Sequence, residues 1–384
     1  MSLILFLMLL LAGLLGLFVF GLVHRQIHIW FLEYLRHGRH VARIHPVKSP
    51  IHVMFCFVDH YEPFTGGCGE AQATARVDRW LRDYPAIGAR YRDADGRPPV
   101  HSFFYPEEEY RPELLDKLAS LCRAGLGEME IHLHHDHDTA DNFRTKLMRF
   151  AELLRQRHGF LAQREGRPVF AFIHGNWALD NSRKDGRWCG INNELVVLRE
   201  AGCYADFTLP SAPSDTQTRT VNSIYYATDD PLRPKSHNTG TPVRVGGRAT
   251  GDLLIFQGPL ALHWRHRKLG IWPRIENGDI AVCDIPVEER ADLWVKQHIH
   301  VPGRPEWLFI KVHTHGATEP NADFLFGGEL DRLFTHLTRK YNDGDSYRLH
   351  FVSAREAYNL VKAAEAGEGG DPNSYRDYVL PRPA

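Results

Sequence analysis

The sequence predicts an α/β protein with a largely parallel sheet, preceded by one N-terminal transmembrane helix. Three observations carry this reading. From residue 51 onward, short apolar runs alternate with amphipathic stretches, as strand followed by helix does when repeated. Residues able to act as acids, bases or metal ligands sit just after the apolar runs, where α/β barrels and open α/β sheets carry their sites. The chain also opens on an uninterrupted apolar run, Leu3 to Val23, with no charged residue.

At 1.5 Å per residue that run is about long enough to cross a ~30 Å hydrocarbon core. A cleaved signal peptide is disfavoured: there is no basic segment ahead of the run, the run is too long, and no small-residue cleavage pattern precedes His24. Arg25, Arg36, Arg39, Arg43 and Lys48 follow it against the single acid Glu33, while its other side carries only the amino group and Ser2. The positive-inside rule then predicts a single-pass protein with its catalytic domain in the cytoplasm. Ile27, Trp30, Phe31, Tyr34 and Leu35 recur at helical spacing. This stretch reads either as an interfacial helix, with Trp30 and Tyr34 at headgroup depth, or as a continuation of the span.

The predicted strands are 51–58, 100–105, 129–135, 168–173, 204–209, 252–257, 307–313 and 347–352. Helices are predicted around 70–83, 112–125, 141–163, 192–202, 328–340 and 354–365. The interval 210–250, rich in Ser, Thr, Pro and Gly, reads as a long surface excursion. No internal repeat and no linker interrupt 51–365. The expected organisation is a transmembrane helix over 1–23, a basic juxtamembrane or interfacial segment over 24–50, one catalytic domain over 51–365, and an irregular surface tail over 366–384.

Composition narrows the function. The 384 residues are 43% apolar and 24% charged, with a formal net charge of −1, which gives no electrostatic case for nucleic acid as a partner. Six cysteines without a CxxC pair read as mostly buried free thiols, which argues against a zinc ribbon and implies no disulfide framework. The outlier is 23 histidines, concentrated in the juxtamembrane stretch and in EIHLHHDHD, residues 130–138. Imidazole with carboxylate at that density points to a divalent metal or to proton transfer, against the plainer reading of a polar loop with solvated histidines. Four histidines in six residues cannot all bind one ion, since a hydrolytic site keeps about three protein ligands and an open position.

In order and placement these motifs resemble the polysaccharide deacetylase superfamily, the NodB-homology domain, over roughly residues 51–352. The resemblance implies a distorted (β/α) barrel holding one divalent metal through an Asp and two His, with an Asp base and a His acid that remove acetyl groups from N-acetylated sugars. The family's Thr-Phe-Asp-Asp corresponds to Phe57-Val58-Asp59-His60, so Asp59 takes the base position and His60 a ligand position. Its His-containing second motif corresponds to Glu130 through Asp138, which makes His134 and Asp138 ligands, with His132 and His137 in reserve and His135 as bystander. The exchange of one His for one Asp at the two motifs compensates, leaving His60, His134 and Asp138 as the expected set. His174, Asn176 and Trp177 replace the family's Arg-Pro-Pro motif as substrate or positioning residues, and His315 or His313 takes the acid role. Zinc is the first expectation for the metal, with Co, Ni, Fe or Mn as options. Glu62, Asp206 and Asp252 read as surface or structural carboxylates.

The expected activity is metal-dependent removal of an N- or O-acetyl group from a carbohydrate, one linked to a lipid or nucleotide carrier in surface-polysaccharide assembly. Carbohydrate and, through the N-terminal helix, a membrane are the expected partners. Two other readings stay open: a glycosidase on a related barrel using Asp59 with a second carboxylate, and a catalytically silent carbohydrate-binding or scaffold protein.

Overall fold

The computed structural model describes residues 3–44, 46–48 and 50–383. Met1 and Ser2, on which the charge comparison across the first helix partly rests, lie outside the described residues. The chain forms α1 (Leu3–His24), α2 (Phe31–Ile44), β1 (Ile51–His60), α3 (Glu70–Gly88), β2 (His101–Pro106), α4 (Pro112–Arg123), β3 (Gly127–Leu133) and α5 (Ala140–His158). There follow β4 (Ala162–Arg164), β5 (Arg167–His174), α6 (Glu194–Ala201), β6 (Cys203–Asp206), β7 (Ile224–Ala227), β8 (Thr241–Pro242), β9 (Leu253–Phe256), β10 (Ala261–Lys268) and β11 (Trp272–Glu276). The last elements are α7 (Val287–Gln297), β12 (Trp307–Thr314), α8 (Glu319–Phe324), α9 (Leu330–Lys340), β13 (Tyr347–Val352) and α10 (Ala354–Ala366).

The fold is mixed α/β with a largely parallel sheet ordered β12-β1-β2-β3-β5-β6-β9-β7-β8. β1 is the pivot. It pairs in parallel with β12 along one edge, and with β13 then β2 along the other. Every residue of β1 is buried, as expected of a central parallel strand covered on both faces. Its odd residues Val53, Phe55 and Phe57 pack under the helices, and its even residues Met54, Cys56 and Val58 face the concave side. The sheet curls until β12 faces β9 and the end of β6 across that side. Phe256 and Phe309 lie 5.7 Å apart, and Lys311 Nζ donates to the Phe207 carbonyl at 2.7 Å.

The concave side is filled by α10, which is buried around most of its circumference. Such a helix is apolar all round only in part: Arg355 at its start donates to both Glu128 oxygens at 3.0 and 2.8 Å, to Asp377 at 2.6 Å and to the Leu380 carbonyl at 2.7 Å. A Ser353–Glu356 capping box starts the helix and Gly367, at φ 94°, ends it. The tail is therefore not a loose surface segment. Arg376 and Leu380 are buried because the tail closes over α10, with Arg376 bonded to Asp93, Asp95 and Glu356.

α1 has a stretch, Leu7–His24, of mean hydropathy 2.4 with none of it buried, long and apolar enough to cross a membrane; an anchor and a signal sequence both meet that description. It does not continue into the next helix. Gln26 turns left-handed at φ 54°, a short 3-10 turn follows, and α2 begins at Phe31. Trp30 does not face outward as a lipid-facing ring would: it is fully buried with Ile27 against Ala212, Val221, Leu260 and Leu262. The interval 210–250 contains β7 and β8, and the antiparallel hairpin β10–β11 and helix α7 stand where the sequence suggested no element.

Candidate functional site

The parallel strands deliver their C-terminal ends to one mouth. His60 closes β1 with the concave parity of Met54, Cys56 and Val58, and Glu62 follows two residues on. His132 comes from β3, His134 from just beyond it, and His313 and His315 from the end of β12. The His60 ring lies 4.5 Å from that of His315, 5.1 Å from that of His132, 5.9 Å from that of His313 and 5.6 Å from that of Trp177. Ligand atoms of His60, Glu62 and His132 all lie within 4.8 Å of one another.

The hydrogen bonding in this mouth suits a cation. His132 Nδ1 donates to the Ile173 carbonyl at 2.8 Å, and its Nε2 lies 2.9 Å from Glu62 Oε1. That second contact is closed either by a second ring proton, which then donates to Glu62, or by a cation between the two atoms. His60 Nε2 is buried with no hydrogen-bond partner among the described residues. Burial, and then the neighbouring His315, His132 and His313, push the His60 imidazole well below its ordinary range, keeping it neutral and ligand-ready. Burial works the other way on Glu62, but hydrogen bonds from His132 and His134 hold it well below the usual carboxylate range. His134 is pinned between Glu108, with Nδ1 at 2.5 Å, and Glu62, with Nε2 at 3.2 Å. Burial opposes its protonation, yet the two carboxylates raise it to about 10.

Several expected residues stand elsewhere. Asp59 has the parity of Phe57 and so faces the helix layer, where its carboxylate accepts from His101 Nε2 at 3.0 Å and from the Gly316 amide at 2.8 Å. That bond fixes the loop carrying His315. A Cβ at Gly316 would come within 2.5 Å of Asp59 Oδ2 and 2.4 Å of Trp80, so the loop approaches as closely as only glycine permits. Asp138 is separated from His60 because the chain turns at His137, at φ 47°. Its carboxylate accepts from the Thr139 amide at 2.7 Å and lies 3.4 Å from His135 and 3.7 Å from Lys146. The His137 side chain is exposed. Trp177 reaches the mouth from the turn after β5, with Asn176 beside it half-buried. Glu62 is neither surface nor remote: it is 8% exposed and central to the cluster. The signal for it was the His-x-Glu spacing of His60 and Glu62, which puts both on one face of an extended chain.

His174 and His135 belong to a second group, on the helix side of the sheet. His135, His174, Cys189 and Glu194 are all buried, and their ligand atoms lie within 4.8 Å of one another. The two Nε2 atoms are 2.8 Å apart and stand 3.2 and 3.4 Å from Glu194 Oε1. His174 Nδ1 donates to the Gly175 carbonyl at 2.5 Å, leaving its Nε2 lone pair on the cluster. Cys189 Sγ accepts from the Asn181 and Ile191 amides at 3.3 and 3.4 Å. This group could hold a divalent metal. Its four donors and complete burial leave no position for water, the form of a structural site, whereas His60, Glu62 and His132 supply three donors beside the half-buried His134, Trp177 and His315. The 3-10 and irregular segment from Gly175 to Asn193 is what brings Cys189 there, and its cysteine gave no sign in the sequence beyond being unpaired.

Asp206, buried at the end of β6, accepts from the Thr208 amide and hydroxyl at 3.0 and 2.7 Å and is pushed up to about 7 by burial, a structural arrangement.

No protein-family model matches the sequence, and no curated protein matches it. Among solved structures the chain is similar to a GH57 branching enzyme from the hyperthermophilic archaeon Thermococcus kodakaraensis, in complex with glucose. The match has a TM-score of 0.36 and 9% identity, and covers 76% of this chain and 68% of that one.

Proposed function

We propose that the chain is a metal-dependent hydrolase of the deacetylase type, membrane-anchored by α1 with its catalytic domain in the cytoplasm, and acting on an acetylated carbohydrate. One observation carries the reading: His60, Glu62, His132, His134, His313 and His315 converge from the C-terminal ends of three parallel strands, with ligand atoms of His60, Glu62 and His132 within 4.8 Å of one another and His60 Nε2 buried without a hydrogen-bond partner among the described residues. His60, His132 and Glu62 are the residues that would hold the ion, two imidazoles and one carboxylate, the composition expected from the sequence but drawn from different positions. Zinc suits that set, and when bound it supplies a Lewis acid for the acyl oxygen and acidifies water.

The chain's own groups do the rest. His315, half-buried and stacked on His60, is the proton donor to the leaving amine, with His313 below it. His313 is held neutral by burial, then by Lys311 and His315. Trp177 forms an aromatic wall on which a sugar ring stacks. Asp59 acts through the Gly316 amide, setting where His315 stands, rather than as the base. The His134–Glu108 pair, beside Glu62, is the acid–base group of the mouth. The glycosidase alternative has less support, because Asp59 faces His101 and Gly316 rather than a second carboxylate in the mouth.

The test is metal analysis of the purified full chain together with acetate release from N- and O-acetylated sugars. The expected result is bound zinc and released acetate. A zinc-loaded protein that releases no acetate from either class overturns the deacetylase reading, and one that cleaves glycosidic bonds instead establishes the rival.

A further inference from the structure

The hairpin β10–β11 rises from the same face as the mouth. The chain enters it after β9 ends at Phe256 and leaves it through Gly278 and Asp279, which lie against His313. The end of α1 reaches that face too, through Ile27 and Trp30 packed on Ala212, Val221, Leu260 and Leu262. From there hairpin and helix run side by side. Trp272 stacks on Phe18 at 6.0 Å and 15°, and a Cβ on Gly21 would come within 2.2 Å of its indole. Phe18 precedes the helix end at His24 by six residues, so this contact lies roughly 9 Å inside the apolar helix.

The tip projects past that contact. Leu269 is 92% exposed, Ile271 70% and Trp264 55%. Leu269 and Gly270 both have positive φ, 53° and 68°, and the Ile271 amide donates to the Lys268 carbonyl at 3.2 Å. This is the two-residue turn that ordinarily takes Asn or Asp before Gly. A leucine there accepts a conformational penalty to hold an apolar side chain at the outermost point. Around it Arg265, Arg267 and Lys268 are exposed, with Glu289 the acid facing Arg265 and His266.

We propose that the β10–β11 hairpin is a second membrane element. Leu269, Ile271 and Trp264 enter the acyl–headgroup boundary of the bilayer that α1 crosses, and Arg265, Arg267 and Lys268 engage anionic headgroups. Helix and hairpin rise from one face, so together they seat the rim of the mouth against the lipid surface. The substrate class that this geometry serves is a carbohydrate carried on a membrane lipid. That last step rests on the hydrolase reading above; the docking rests only on α1 being a membrane anchor.

The test uses the full chain in vesicles of phosphatidylcholine and phosphatidylserine at roughly 4:1, with bromines placed near the headgroup end of the acyl chains. The emission of Trp264, taken as wild type minus Trp264→Phe, is expected to fall by about half or more, and that quenching to disappear in Leu269→Asp/Ile271→Asp. Both substituted residues are solvent-exposed, so the variant's circular dichroism should match wild type. Unquenched Trp264 overturns the proposal, and unquenched Trp264 with cross-linked dimers assigns the patch to a second copy instead. For the substrate class, the double variant should lose turnover of a vesicle-borne acetylated glycolipid while keeping that of a soluble acetylated sugar. Equal turnover of both overturns the lipid-carried substrate and leaves the hydrolase standing.

Discussion

Replacing His132 with alanine is expected to strip the mouth of its ion, weakening metal affinity by more than about 100-fold, and to abolish acetate release. Loss of a hydrogen-bond partner behind a ligand already costs about 10–100-fold, and His132 is argued to be the ligand itself. It is fixed by its Nδ1 bond to the Ile173 carbonyl, so no neighbour can swing into its place without breaking the β3–β5 ladder. Asp138→Ala and Cys189→Ser supply the contrast. Asp138 stands with His135 and Lys146, and Cys189 with Glu194, so both variants are expected to keep the mouth's ion. Metal analysis by mass spectrometry decides it, with Cys189→Ser as the background for the other two variants so that an ion in the Cys189 group is not counted. An Asp138→Ala protein without metal and a His132→Ala protein with it would restore the ligand set expected from the sequence.

The largest effect on stability is expected from Arg355→Ala. The guanidinium is 1% exposed and satisfies Glu128, Asp377 and the Leu380 carbonyl, so truncation leaves the Glu128 carboxylate buried without its counter-ion. Breaking one half of a buried pair costs about 3–5 kcal/mol. Replacing both halves with apolar side chains of similar volume costs much less, because no charge is then stranded. Urea denaturation of Arg355→Ala should show a lowered midpoint, and Glu128→Leu/Arg355→Met should recover most of it. An Arg355→Ala protein as stable as wild type would mean that α10 and the tail do not depend on this pair.

The parallel strands were legible because each is a run of apolar residues bounded by polar ones, and their C-terminal ends drew attention to His60, His132, His134, His313 and His315. Which side each residue faces was not legible. In a strand buried on both faces the odd and even residues are equally apolar, so the sequence carries no marker of sidedness, and Asp59 and His60 look alike as candidates. Only the partition of Phe55 and Phe57 from Met54 and Val58 reveals that His60 faces the mouth. Asp138 fails for another reason. Its distance from His134 in the chain suits a shared ion, but the positive φ at His137 sends the two apart, and a non-glycine residue gives no warning of that conformation. The β10–β11 hairpin hid behind its composition: WRHRKLGIW sets a run of basic residues before its apolar ones, without strand alternation, and has a leucine where a hairpin turn signal is sought.

The position of β1 bears on how the molecule is made. The first strand of the domain takes its neighbours from both extremes of the chain, β2 from soon after it, β12 and β13 from more than two hundred residues later. Synthesis therefore delivers the apolar helix and the central strand first, and leaves that strand with one edge bare until almost the whole polypeptide has left the ribosome. Contacts so distant in sequence slow folding, and an uncovered parallel strand is a template for wrong pairing. A nascent chain of this design waits, half-built, for its own C-terminus, and its dependence on chaperones should be greatest in that interval.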